Sequence, residues 1–228
     1  MLFKNTLKKY LIRFFFSENY FITILIRKPI NTWILSNFPY KNSSLKASKI
    51  WEDQSEYKID SYEETKSKYI NKFINYVLKA TNKKDVILDV CCNQGRFIKE
   101  LHHNGYRSLL GVDIMKDAII DLQKSKEYKS GGISAEINLA QDYLLSMEDK
   151  SIDYAITYSA TIELFHPGFN IFSELYRITR KGFIFALNEN AQAYPRFYRY
   201  LIKSNNFKLI STLKHGKNLT LIHASKTS

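Results

Sequence analysis

A chain of 228 residues with 45% hydrophobic and 25% charged residues is composed like a globular protein with enough length for a full core. That excludes a disordered segment and a polytopic membrane protein. The formal net charge of +12 is uneven: Lys4, Lys8, Lys9, Arg13, Arg27, Lys28, Lys41, Lys46 and Lys49 face Glu18 alone in the first fifty residues, so +8 of the excess belongs to an arm. The two cysteines, Cys91 and Cys92, are adjacent, which excludes a disulfide framework and makes a reducing cytoplasm the expected compartment.

The arm, residues 1–50, is basic and aromatic-rich, and an α/β domain is expected over 51–228. Phe3, Leu7, Tyr10, Leu11 and Phe14 share one face of a helix, with Lys4, Lys8, Lys9 and Arg13 to its sides and back. Arg13 and Glu18 interrupt the apolar stretch and no small-residue cleavage site follows, so neither a signal peptide nor a membrane span is expected. Such a helix packs its stripe on the domain or a partner subunit; peripheral contact of residues 1–30 with an anionic membrane is the alternative. Asn31 to Ser48, with Pro39 inside it, reads as connector.

From Trp51 onward the pattern becomes regular. Glu63 to Ala80 has the stripe Tyr69, Phe73, Val77 and Leu78 of a helix. Val86 to Val90 is a short apolar run of the kind covered on both faces of a parallel sheet, and Phe97 to His103 resumes helical spacing. Leu109 to Asp113 is a second strand, a helix follows through Ala118, Ile119 and Leu122, and a weaker strand lies near Ile133 to Leu139. Ile152 to Tyr158 is a fourth strand, Phe169 to Ile178 a helix ending in Arg177, Arg180 and Lys181, and Phe183 to Leu187 a fifth strand. Tyr194 to Ser204 then reads as helix, and Phe207 to Leu213 and Leu219 to Ala224 as a hairpin across His215 to Asn218. Strands alternating with helices predict a Rossmann-like, doubly wound, three-layer α/β/α fold, mostly parallel with an antiparallel C-terminal edge hairpin.

The stretch Val86 to Phe97 carries the chemistry. A strand feeding a helix through a tight loop makes a nucleotide-sized crevice, with Asp89 on the strand, Gly95 allowing close backbone approach and helix N–H groups pointing inward. About eighteen residues beyond Gly95, Asp113 closes the second strand near the ribose-binding spacing of dinucleotide folds. A pyrophosphate cradle needs G-x-G-x-x-G, and only Gly95 is present, so a smaller ligand without phosphate is indicated.

These segments, over roughly Tyr62 to Lys226, resemble the class I S-adenosylmethionine-dependent methyltransferases. Leu88 to Phe97 is similar to the family's L-D-V-G-C-G-x-G-R-F, Gly111-Val112-Asp113 to its G-V-D, and Ser151 to Ile156 to its S-F-D-x-V. Ile162-Glu163-Leu164 stands at its L-E-H and Glu174 to Arg180 at its E-x-x-R-V-x-K. The chain departs from the pattern at Cys91 and Asn93, which replace the first two glycines, and at Leu164, which replaces the histidine.

The resemblance implies S-adenosyl-L-methionine as cofactor and no metal. Asp113 would hold the ribose diol, Asp89 the ammonium, and the backbone of Cys91, Asn93 and Gly95 the methionine moiety. Ile114 would pack on adenine and Asp142 reach its exocyclic amine, with Gln141 fitting nearly as well; Tyr158 joins this cofactor set. If a general base is used, Glu163 and His166 are the nearest candidates. Tyr194, Arg196 and Arg199 lie where the family builds its acceptor pocket, and the arginines suit an anionic acceptor; Trp51 and Tyr57 could form a lid. The expected reaction is O-methylation of a small-molecule or saccharide- or lipid-linked acceptor. An RNA methyltransferase, whose Lys and Arg would track phosphates, and a non-catalytic methyltransferase-like subunit are the alternatives.

Overall fold

The computed structural model describes residues 68–158, 165, 169–187, 198–215 and 219–227. The arm over 1–50, its boundary at 51, and the proposed lid residues Trp51 and Tyr57 lie outside the described residues.

Helix α1, Lys68–Ala80, buries Ile70, Phe73, Ile74 and Val77, one stripe at three- and four-residue spacing, and keeps its lysines off that face. Strand β1 (Ile87–Val90) is buried at every position, as a strand covered on both faces must be. It leads into α2 (Arg96–His103), β2 (Leu109–Asp113), α3 (Lys116–Lys124), the one-turn α4 (Lys126–Lys129) and β3 (Ile133–Ile137). The chain continues through α5 (Ala140–Ser146), β4 (Ile152–Tyr158), α6 (Ile171–Ile178), β5 (Thr179–Leu187), α7 (Tyr198–Ser204), β6 (Phe207–His215) and β7 (Leu219–Lys226).

The seven strands form one sheet in the order β3-β2-β1-β4-β5-β7-β6. Pairs from β3 to β5 are parallel, and β7 runs antiparallel to both β5 and β6. This is the expected doubly wound fold with its antiparallel hairpin. One face carries a core of Leu144, Phe172, Phe183 and Tyr198 under α5, α6 and α7. The other carries Phe73, Ile98, Leu122 and Leu221 under α1, α2 and α3. Chain direction across the sheet reverses between β1 and β4, the place where ligands bind in open α/β sheets.

Three local expectations change. Strand β5 starts at Thr179, four residues earlier than the apolar run suggested, because Thr179 Oγ1 donates to the Leu175 carbonyl and closes α6 there. Arg180 and Lys181 are therefore strand residues, aimed at carboxylates rather than at a helix terminus. Gly182 completes the strand: a Cβ there would run into the Ala224 carbonyl of β7. Helix α5 was not anticipated, since seven residues are too few for a period to show. His215, expected in the hairpin loop, is the last residue of β6.

Candidate cofactor site

The loop between β1 and α2 has a conformation that its sequence disguises. Cys91, Asn93 and Gly95 all take left-handed backbone angles, with φ of 63°, 49° and 71°. These are the three alternating positions at which the resembled family has glycine. Asn tolerates this region, Gly adopts it freely, and Cys does so at a cost of about 1 kcal/mol. The shape has thus been kept while two of its usual residues have been replaced. Gly95 cannot be replaced in the same way, since a Cβ would stand 2.6 Å from Leu122 Cδ1.

Asp113 ties this loop to the end of β2. Its Oδ2 accepts the Asn93 N–H at 2.8 Å and its Oδ1 the Met115 N–H at 2.9 Å. The loop is further braced by the Cys92 N–H donating to the Val112 carbonyl at 3.0 Å and the Gly95 N–H to the Cys92 carbonyl at 2.9 Å. A carboxylate offers about four acceptor positions, so two engaged N–H groups leave capacity for a pair of hydroxyls. Gly95 caps α2 without any side-chain cap, leaving first-turn N–H groups as donors for an anionic group.

Asp89 is 1% exposed and its Oδ2 has no hydrogen-bond partner. Burial first, and the negative charge of Asp113 second, push its carboxyl well above the usual range. Burial also raises Asp113, against the lowering effect of the backbone N–H groups that it accepts. Two buried carboxyls with no cation between them make a place that favours a positively charged ligand. The residues thus fit the amino-acid and ribose parts of the implied cofactor: an orphaned carboxylate for an ammonium, a held carboxylate for a diol, and helix N–H groups for a carboxylate.

Around this centre, Ile114 is half-buried beside Asp113. Asp142 sits on the exposed side of α5, whereas its neighbour Gln141 is 4% exposed with Nε2 unpartnered. Tyr158 ends β4 half-buried, its ring 5.2 Å from that of Phe97 in α2 and 5.2 Å from that of Phe73 in α1. Arg199 is on an exposed position of α7. Glu163, His166, Tyr194 and Arg196 lie outside the described residues. Among the described residues, no group of three His, Cys, Asp or Glu could hold a metal ion, and no helix is long and apolar enough to cross a membrane.

Residues 87–182 match the model of a family described as a methyltransferase domain. No curated protein matches the chain. Among solved structures, magnesium protoporphyrin IX methyltransferase of Synechocystis with bound SAM aligns at TM-score 0.54 and 17% identity over 69% of this chain and 78% of that one. The PH0226 protein of Pyrococcus horikoshii aligns at TM-score 0.53 and 20% identity over 71% and 93% of the two chains. An S-adenosylmethionine-dependent methyltransferase of Mesorhizobium loti aligns at TM-score 0.53 and 13% identity over 67% and 96%. At these identities the likeness is one of fold. Over residues 87–182 the chain is thus similar to a methyltransferase domain, carried on the seven-stranded sheet described above.

Proposed function

We propose that the chain transfers a methyl group to the hydroxyl oxygen of a small-molecule or saccharide- or lipid-linked acceptor. The observation that carries the cofactor half of this reading is the orphaned Asp89 carboxylate beside Asp113, under a loop held in three left-handed turns. When bound, S-adenosylmethionine supplies an electrophilic methyl carbon on a sulfonium leaving group.

The chain's own residues bind and orient. Asp113 would accept the two ribose hydroxyls on its remaining lone pairs while keeping the Asn93 and Met115 N–H groups. Asp89 would hold the cofactor's ammonium, and that pairing would favour its ionised form, its proton passing to solvent. Gln141 gives adenine both a donor and an acceptor from one buried amide, which makes it the better placed of the two candidates. Tyr158 and Phe97, backed by the wholly buried Phe73, would wall the side of the crevice toward the hairpin. Holding acceptor oxygen and methyl carbon in line supplies much of the rate advantage, and Glu163 or His166 would take the proton the acceptor loses. Tyr194, Arg196 and Arg199 would orient an anionic acceptor, and residues 1–30 would bring the enzyme to a membrane surface that carries a lipid-linked one.

Calorimetric titration with S-adenosylmethionine and S-adenosylhomocysteine tests the cofactor half. Both are expected to bind at micromolar concentration, about −8 kcal/mol; absence of binding below millimolar concentration would leave only a non-catalytic subunit. Liposome flotation with and without residues 1–30, set beside a salt-dependent RNA shift, decides between a membrane-linked acceptor and RNA.

A further inference from the structure

Two histidines that the proposed reaction does not use are buried beneath α1. His215, at the end of β6, is 1% exposed, and neither ring nitrogen has a hydrogen bond of ordinary geometry. Three aromatic rings enclose it: Tyr69 at 5.8 Å and Phe73 at 6.3 Å, both from α1, and Tyr158 at 5.7 Å from β4. His223, in the middle of β7, is 8% exposed. Its Nδ1 shares a 3.2 Å hydrogen bond with the Tyr76 hydroxyl of α1, its Nε2 has no partner, and the Tyr154 ring of β4 lies 6.1 Å away.

Each turn of α1 that faces the antiparallel half of the sheet therefore rests on a histidine. The helix supplies no carboxylate to balance a charge there: its sequence KYINKFINYVLKA contains three lysines and no acid. Around His215 the titratable groups are Tyr69 and Lys72 from α1 and Tyr158 from β4. Around His223 they are Tyr76 from α1 and Tyr154 from β4, while its strand neighbours are Ile184 of β5 and Ser211 of β6. Lys181 lies over the Tyr154 ring, 6.0 Å from its centroid, and is itself paired with Asp85 and Asp153, so the charges beyond that ring are already matched to one another. Among the described residues no carboxylate faces either imidazole.

We propose that α1 is a pH-operated latch: acidification charges His215 and His223 beneath the helix and releases it from the antiparallel half of the sheet. Burial holds both imidazoles below their ordinary range; at His215 the Tyr69 backbone opposes it in part, and Lys72 adds a smaller push in the same direction as burial. The sign follows. The released state binds more protons than the docked state, so docking is at full strength above the free imidazole value of about 6.5 and weakens as pH falls below it. The docked neutral form is the resting state near pH 7.

Release would reach the cofactor crevice through one side chain. Phe73 is the ring of α1 that packs edge-on against both Phe97 and Tyr158, at 5.2 Å each, and it is wholly buried. When α1 lifts, that wall loses its backing and His215 loses its cover. Local opening of one element, without loss of the rest of the fold, is the form this takes.

Hydrogen exchange on the full chain tests the latch. Between about pH 7.5 and about pH 5.5, after correction for intrinsic exchange, protection of residues 68–80 is expected to fall about tenfold more than that of α6 and β5. In His215→Gln with His223→Gln the excess loss is expected to vanish, since neither amide titrates. An equal loss across all elements, or an unchanged excess in the double variant, would overturn the proposal. Should that variant fail to fold, NMR titration of the wild-type imidazole carbons decides: both rings becoming charged with α1 still protected overturns it, and charging that coincides with loss of protection supports it. S-adenosylhomocysteine binding measured at about pH 7.5 reports on the cofactor reading separately, so either conclusion can fail alone.

Discussion

The domain buries two pairs of carboxylates at opposite edges of the same strands, and they are treated in opposite ways. At the amino edge, Asp153 at the start of β4 accepts from Arg180 at 3.0 Å and from the Val86 N–H at 2.9 Å, and Asp85 pairs with Lys181 at 2.5 Å. The Arg180 hydrogen bond holds the Asp153 carboxyl below its usual range. At the carboxyl edge, no ion pair is formed by Asp89 or Asp113 among the described residues, and both are raised by burial. Similar burial with unequal partnering sets the two pairs apart: the first is completed by the fold, the second is left for the ligand proposed above.

The largest effect on this contrast is expected from the amino edge. Asp153→Ala strands Arg180 and unpairs the Val86 N–H; breaking a fully buried pair costs about 3–5 kcal/mol, and because Arg180 is 41% exposed, screening reduces this to about 2 kcal/mol. Urea denaturation would show it as a lower midpoint with the same slope. In the wild type the same contribution is present above the unfolded carboxyl value of about 3.9 and is lost as pH falls through the lowered folded one. A melting temperature unaffected by the substitution would erase the distinction between the edges.

At the carboxyl edge the expected loss is in binding. Asp113→Ala weakens S-adenosylhomocysteine by more than about tenfold, at least 1.4 kcal/mol, in a variant whose circular dichroism is unchanged. Unaltered affinity in a folded variant sinks the ribose assignment. The subtlest test is Asp89→Asn, which removes a buried group that resists ionisation. The ligand-free domain is expected to gain stability, with a melting temperature about 2–4 °C higher for each kcal/mol relieved, while cofactor affinity falls. Two changes of the same sign would mean that Asp89 is a structural residue like Asp153.

Much of this site was legible in the sequence because it depends on strand ends. Asp89 and Asp113 were placed by apolar runs that must be β1 and β2, and Gly95 by the helix that resumes after it. The glycine replacements were legible as departures, but the left-handed backbone they adopt was not. Whether residue 91 turns left-handed is fixed by the closure of the loop onto Asp113 and Val112, which composition does not encode. That Gln141 is buried and Asp142 exposed was not legible, since the short helix α5 that carries both has no readable period. His215 and His223 were passed over for a different reason: a histidine near a hairpin reads as exposed until a helix from 140 residues earlier is laid over it.

The close approach of β5 to β7 has a practical consequence. The matched domain ends at residue 182, in the middle of β5, at the glycine whose backbone lies against Ala224. A fragment cut at 87 and 182 would contain the cofactor loop and both of its carboxylates. It would lack Phe73 and Val77 from one core, Phe183, Phe185 and Ala224 from the other, and the partner strand that Gly182 is shaped to receive. Expression trials and domain swaps should therefore keep residues 68–227 together, because recognition of the cofactor and closure of the core are encoded in different stretches of the chain.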